Sequence, residues 1–192
     1  FGELRVHERG VTARAKLTWI VQDTVPVLDQ SLRLEVEDLG DGEFLLHLKW
    51  ELCAAYGKVG FLSDWVHYAW PYLRMDPAFS GESGGTITDD QGRTGQEATN
   101  EQYARWIDYS NTIDGVTEGV AVFLPPDGLP CKWLTREYGT FGPRRPDAWS
   151  GTRFTLEHGQ TIDGQVTLLV HRGGVESGHV SERYRAFAAR LE

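Results

Sequence analysis

The chain has 192 residues, 40% of them hydrophobic, and a formal net charge of -9, which makes one domain with a sizeable core the expectation. The acidic balance and the lack of a Lys and Arg stripe argue against nucleic acid and against an anionic membrane surface as partners. No apolar run approaches the roughly 20 residues a membrane helix needs, and the opening FGELRV has neither region of a signal peptide, so a soluble, cytoplasmic protein is expected.

Period-two alternation dominates the first quarter. Glu3 to Glu8, Thr12 to Gln22, Gln30 to Leu39 and Glu43 to Ala54 each set Leu, β-branched or aromatic residues between charges, the mark of half-buried antiparallel strands. Gly40-Asp41-Gly42 stands between the last two runs. Glycine tolerates the positive φ of tight hairpins, so those runs are expected to pair. From Tyr56 to Phe79, seven aromatic residues other than His fall within 24 positions, followed by the Gly-rich SGESGGTITDDQGRTGQE. A strand leading into a long, functional surface loop is predicted there.

Strands resume at QYARWIDYS and EGVAVFLP, with NTIDGVT as the turn between them. A Pro-rich loop, LPPDGLPCKW, leads to WLTREYGTFG, and the segment up to Gly174 reads as two strands around Gly164. Val180, Tyr184, Phe187 and Leu191 fall on one helical face, which predicts a C-terminal helix over 176–191. About eleven strands and one helix predict an all-β, two-sheet antiparallel sandwich, with residues 1–192 as one domain. Cys53 and Cys131 allow one disulfide or two free thiols.

Standard phosphate, zinc, nucleophile-elbow and dinucleotide motifs are absent, and no metal or other cofactor is called for. GESGG lacks the strand-turn-helix context of a serine nucleophile and reads as a turn. The acid and base candidates are Glu97, Asp108 and Asp64 among carboxylates, with His67 and His171 among histidines. Burial beside Trp raises a carboxylate's pKa, and His titrates near neutrality. Seven tryptophans are many for this length. Trp65, Trp70, Trp106, Trp133 and Trp149 lie near polar sequence, where a ring stacks on a pyranose face, although each is also a natural core residue. Arg144-Arg145 reads as a solvated loop or as a contact for one carboxylate. Alternation puts Trp106 and Asp108 on one face of their strand, Ile107 and Tyr109 on the other, with Glu97 in the preceding loop.

From GRTGQEATNEQYARWIDYSN through GVAVF and the Pro-rich loop to WLTREYGTFG, the order of segments resembles the bacterial PmoA-like family, a domain of unknown function labelled methane oxygenase. The similarity covers about 84–174 well and the first 55 residues loosely. It implies a galactose-mutarotase-type sandwich and a role in carbohydrate metabolism. The matched positions are Glu97, Trp106, Asp108, Tyr109, Trp133, Arg136, Tyr138 and His171 with Gly173. LPPDGLP stands where the family carries Asp-His-Pro and an Asn, and the family's N-terminal His-His-Arg-Gly motif is not in this chain, which is read as short of an N-terminal portion.

The leading expectation is a sugar or oligosaccharide bound on a concave sheet, with metal-free acid/base chemistry of the mutarotase, epimerase or lyase type. Glu97 or Asp108 would be the base and His67 or His171 the acid. Arg136 would hold a hydroxyl or carboxylate, Trp106 and Trp133 would stack, and Tyr109 and Tyr138 would line the site. The alternatives are a non-catalytic carbohydrate-binding module and an oligomeric interaction subunit that buries Trp65 and Trp70.

Overall fold

A computed structural model describes residues 2–62, 69–128, 131–144 and 154–191. Asp64, Trp65, His67, Arg145 and Trp149, named above as candidates, lie outside the described residues. The architecture is an all-β sandwich with a C-terminal helix.

Strands β1 (Glu3–His7), β2 (Gly10–Val21), β3 (Val25–Gly40) and β4 (Glu43–Cys53) follow one another as antiparallel neighbours. The β3–β4 pairing is the one predicted. Its turn runs through Gly40, Asp41 and Gly42 at φ of 89°, 55° and 81°, a left-handed run that only Gly and Asp or Asn make cheaply. The chain continues through β5 (Val59–Phe61), β6 (Leu73–Arg74), β7 (Thr86–Asp89) and the short helix α1 (Gly95–Thr99). The remaining elements are β8 (Trp106–Ile113), β9 (Val116–Phe123), β10 (Trp133–Arg136), β11 (Thr140–Pro143), β12 (Phe154–Leu156), β13 (Thr161–Arg172) and helix α2 (Val180–Ala189).

One sheet has eight strands in the order β1-β2-β3-β4-β13-β9-β8-β7. A three-stranded sheet, β10-β11-β6, packs on part of it, and β12 pairs with β5. The expected break at Gly164 is not there. Gly164 sits inside β13 opposite Trp50, and the chain turns at 157–160 instead, where the Gln160 amide donates to the Glu157 carbonyl. Strands β6 and β7 and helix α1 fall where a loop was predicted, because two to five residues are too few to show a period.

Where β4, β13, β9 and β8 lie side by side, the large sheet buries residues on both of its faces. Its inner face packs Trp50, Leu52, Ile107, Tyr109 and Val122 against Trp133 and Phe141 of the small sheet. Its outer face buries Leu45, Trp106, Ala121, Phe123 and Leu169 beneath Val180 and Phe187 of α2. Val180, Tyr184 and Phe187 thus keep the predicted stripe, while Leu191 lies past the helix end and is 51% exposed. The helix also starts four residues later than predicted. A turn closed by the Gly178 amide on the Gly174 carbonyl (2.7 Å) precedes it, and His179 takes φ 53°. Neither Cys53 nor Cys131 is in a disulfide. No helix among the described residues is long and apolar enough to cross a membrane.

Candidate functional site

Strand β8 alternates as its sequence requires. Ile107 and Tyr109 enter the inner core, and Trp106 and Asp108 share the outer face under α2. Asp108 meets His171 of β13 there, with Oδ2 2.7 Å from Nε2 and both side chains fully buried. Strand β9 lies between them in the sheet, and what lets them touch is Gly119 of β9. A Cβ at that position would stand 2.8 Å from the imidazole and from the Ser110 Cβ. Gly178 closes over the other ring edge, where a Cβ would sit 2.5 Å from Nδ1.

Burial pulls the His171 pKa down most, but the hydrogen bond and charge of Asp108 and the Arg172 carbonyl 3.2 Å from Nδ1 more than offset it, so the net direction is upward. The pair is an enclosed ion pair tying β8 to β13. The acid and base roles expected of Asp108 and His171 do not suit this placement, because no substrate atom reaches either group.

The other expected partners lie elsewhere. Glu97 is exposed on α1, whose inward residue is Thr99, bonded to Thr135 at 2.9 Å, so Glu97 points away from the Asp108–His171 pair. Trp106 is 5% exposed and Trp133 fully buried, its Nε1 donating to the Ala104 carbonyl at 2.9 Å. Tyr109 is also enclosed and donates its hydroxyl to the Glu137 carbonyl at 2.7 Å. None of these three rings has a face free for a sugar. Arg136 donates through Nη1 to Asn100 Oδ1 at 2.7 Å and to its neighbour's carbonyl, which spends it on joining β10 to the end of α1. Tyr138 alone of the expected rings is open, 53% exposed with the Arg74 guanidinium 5.7 Å from its centroid. The neighbouring Thr140 and Tyr72 side chains lower its phenol pKa from the usual tyrosine range.

A different place on the inner face has the features of a binding site. A cavity of about 320 Å³ lies between β4, β13, the loop at 124–128 and the end of β11, lined by Trp50, Trp70, Leu124, Asp127, Cys131 and Arg144 among others. Among the described residues five buried side-chain polar atoms lack a hydrogen-bond partner, and two of them, Trp50 Nε1 and Arg144 Nε, belong to residues lining this cavity. Buried donors are almost always paired, so two orphans in one wall need an explanation.

Arg144 is 5% exposed and reaches Glu101 through Nη2 at 3.3 Å. Burial lowers its pKa and the Glu101 carboxylate pushes back. The aromatic floor, the two donors and a carboxylate at the rim suit a ligand with an apolar face and oxygen acceptors. Sequence reasoning read Trp50 as an ordinary strand residue and Arg144 as a loop residue. The one signal was Trp50's inner-face parity beside Gly164, and it required the pairing to be known. Among the described residues no group of three His, Cys, Asp or Glu side chains is placed to hold a metal ion.

No curated protein matches the sequence. Among solved structures, the chain is similar to a variant of the GH36 alpha-galactosidase AgaA from Geobacillus stearothermophilus in complex with raffinose, at 13% identity and a TM-score of 0.35. That similarity covers 92% of this chain and 26% of the other, and at that score it bears on neither fold nor function. A family model described as a family of unknown function, DUF6807, matches residues 2–185, and the chain belongs to that family.

Proposed function

We propose that the protein binds a sugar in the Trp50–Arg144 cavity on the inner face of its large sheet. The observation that carries this reading is a cavity that brings Trp50, Trp70, Asp127 and Arg144 together, Trp50 and Arg144 each with a buried N–H donor that has no partner. The cavity would take a saccharide whose oxygens meet its polar lining at Asp127 and Arg144 and whose C–H face packs on the half-buried Trp70. A carbohydrate ligand is also what the resemblance to PmoA-like, galactose-mutarotase-type proteins implies.

Binding without chemistry is favoured over a mutarotase, epimerase or lyase reaction. The acid/base pair that does converge, Asp108 with His171, is sealed on the opposite face of the sheet, and Glu97 stands apart from both. The experiment is calorimetric titration of neutral and acidic saccharides against wild type, Trp50→Phe and Arg144→Met. Each variant removes one orphan donor while keeping an apolar side chain of similar bulk, and each is expected to weaken binding about tenfold, about 1.4 kcal/mol. The reading fails if no saccharide binds, or if both variants bind as wild type does.

A further inference from the structure

The outer face of the large sheet holds a cavity of about 540 Å³ over β2, β3 and β4, on the side of the sheet away from the Trp50–Arg144 cavity. Lys49 follows the outward His47 and precedes the inward Trp50 in β4, so it points outward. Its direct partner is Arg33 of β3, whose own partner on β2 is Arg14. Three cations thus stand side by side in one row across three strands, and Lys16 lies two residues along β2 on the same face. All four line the cavity. We infer that it binds a small polyanion, a compound carrying two or more carboxylate or phosphate groups, whether or not the inner cavity binds a sugar.

Like charges directly opposite one another in a sheet are destabilising, so this row lowers stability unless something neutralises it. Its own neighbours do so only in part. Arg14 lies 3.6 Å from Glu3 and Arg33 2.7 Å from Glu35, but each of these side chains is at least a third exposed, and exposed pairs contribute little. Lys16 and Lys49 make no ion pair among the described residues. Glu51 and Asp163 also line the cavity, yet they sit in the next row, opposite each other on β4 and β13, and do not interleave with the cations. Two strand spacings put Arg14 about 10 Å from Lys49, with Arg33 between them. One anionic group reaches two neighbouring cations of such a row, and a second group on the same molecule reaches the third. Guanidinium forks match the paired oxygens of carboxylate and phosphate.

The test is calorimetric titration with citrate, pyrophosphate and inorganic phosphate at low ionic strength, where exposed charges are least screened. Citrate or pyrophosphate is expected to bind one to one and at least about tenfold more tightly than inorganic phosphate. Tighter citrate marks a polycarboxylate ligand, tighter pyrophosphate a phosphorylated one. Arg33→Gln and Lys49→Gln should each weaken that binding at least about fivefold. Lys58→Gln, which removes a lysine paired with Glu157 outside the cavity lining, should leave it unchanged. Without any anion, Lys49→Gln should raise the urea midpoint, because it relieves the repulsion within the row. The inference is overturned if neither polyanion binds, if inorganic phosphate binds as tightly as both, or if both row variants bind as wild type does. A lowered midpoint in Lys49→Gln overturns it too, since Glu51 and Asp163 would then already neutralise the row.

Discussion

At Gly119 and Gly178 the backbone passes so close to His171 that a single methyl group would strike the imidazole, at 2.8 and 2.5 Å. The neighbouring backbone of Arg172, 2.8 Å from a Cβ at position 178, has no room to give. Gly119→Ala and Gly178→Ala are therefore each expected to cost about 1 to 3 kcal/mol by overpacking, read as a lowered urea midpoint. Removing one member of the buried pair is worse, because it strands the other. Asp108→Ala should lose roughly 3 to 5 kcal/mol, whereas the exposed Glu97→Ala should stay within about 0.5 kcal/mol of wild type.

The same pair makes stability depend on pH. The folded-state pKa of His171 lies above its ordinary value, so its protonation stabilises the fold in full below the unfolded-state pKa. That contribution is lost as pH rises through the higher folded-state value. The difference in unfolding free energy between wild type and His171→Gln should accordingly shrink as pH rises above the ordinary histidine value of about 6.5. A difference that grows with pH would mean that the imidazole is buried neutral.

Among the elements, α2 shows how far periodicity reaches. Val180, Tyr184 and Phe187 were legible as a buried stripe because a helix repeats every 3.6 residues, and all three pack on the outer face of the large sheet. Its start was not legible, since a turn held by Gly174 and Gly178 precedes it without interrupting the composition. Phe187 contacts Phe123 and Tyr184 at centroid distances of 5.7 and 6.1 Å. Phe187→Ala is expected to cost about 3 kcal/mol and to loosen α2 first, seen as faster amide exchange in 180–189 than in β13. Arg183, bonded to Glu43 at 2.5 Å, anchors the helix from its other side. The strands β6 and β7 and the helix α1 escaped sequence reading for an opposite reason. Their shape is imposed by neighbours, as when the Asn111 side-chain amide reaches the Ala78 carbonyl at 2.6 Å and the Ser83 carbonyl at 3.0 Å, and no local pattern announces such a contact.

For the whole molecule, topology matters most. Strand β13 enters between β4 and β9, pairing residues more than 100 positions apart, as in Thr161 with Cys53. Closing loops of that length precedes any reward from the contacts, so refolding on the millisecond-to-second scale or slower is expected from stopped-flow tryptophan fluorescence. With neither cysteine in a disulfide, reductant should leave the melting temperature unchanged. A drop on reduction would reveal a disulfide that this fold does not contain.

The sequence by itself determined the class of fold, the β3–β4 hairpin, the face on which each residue of β8 lies and the helical stripe of α2, because all of these follow from neighbours within a few positions. It could not say which face of which strand would be sealed. Asp108 and His171, each named as one of two candidates for base and for acid, do meet, but under α2 and out of reach of solvent. Trp50 and Arg144, separated by 94 positions and unremarkable in their own segments, become the lining of an open cavity only when β13 slots in beside β4 and β11 folds over it. Exposure is a property of what lies above a residue, and in an antiparallel sandwich that is supplied by chain distant in sequence.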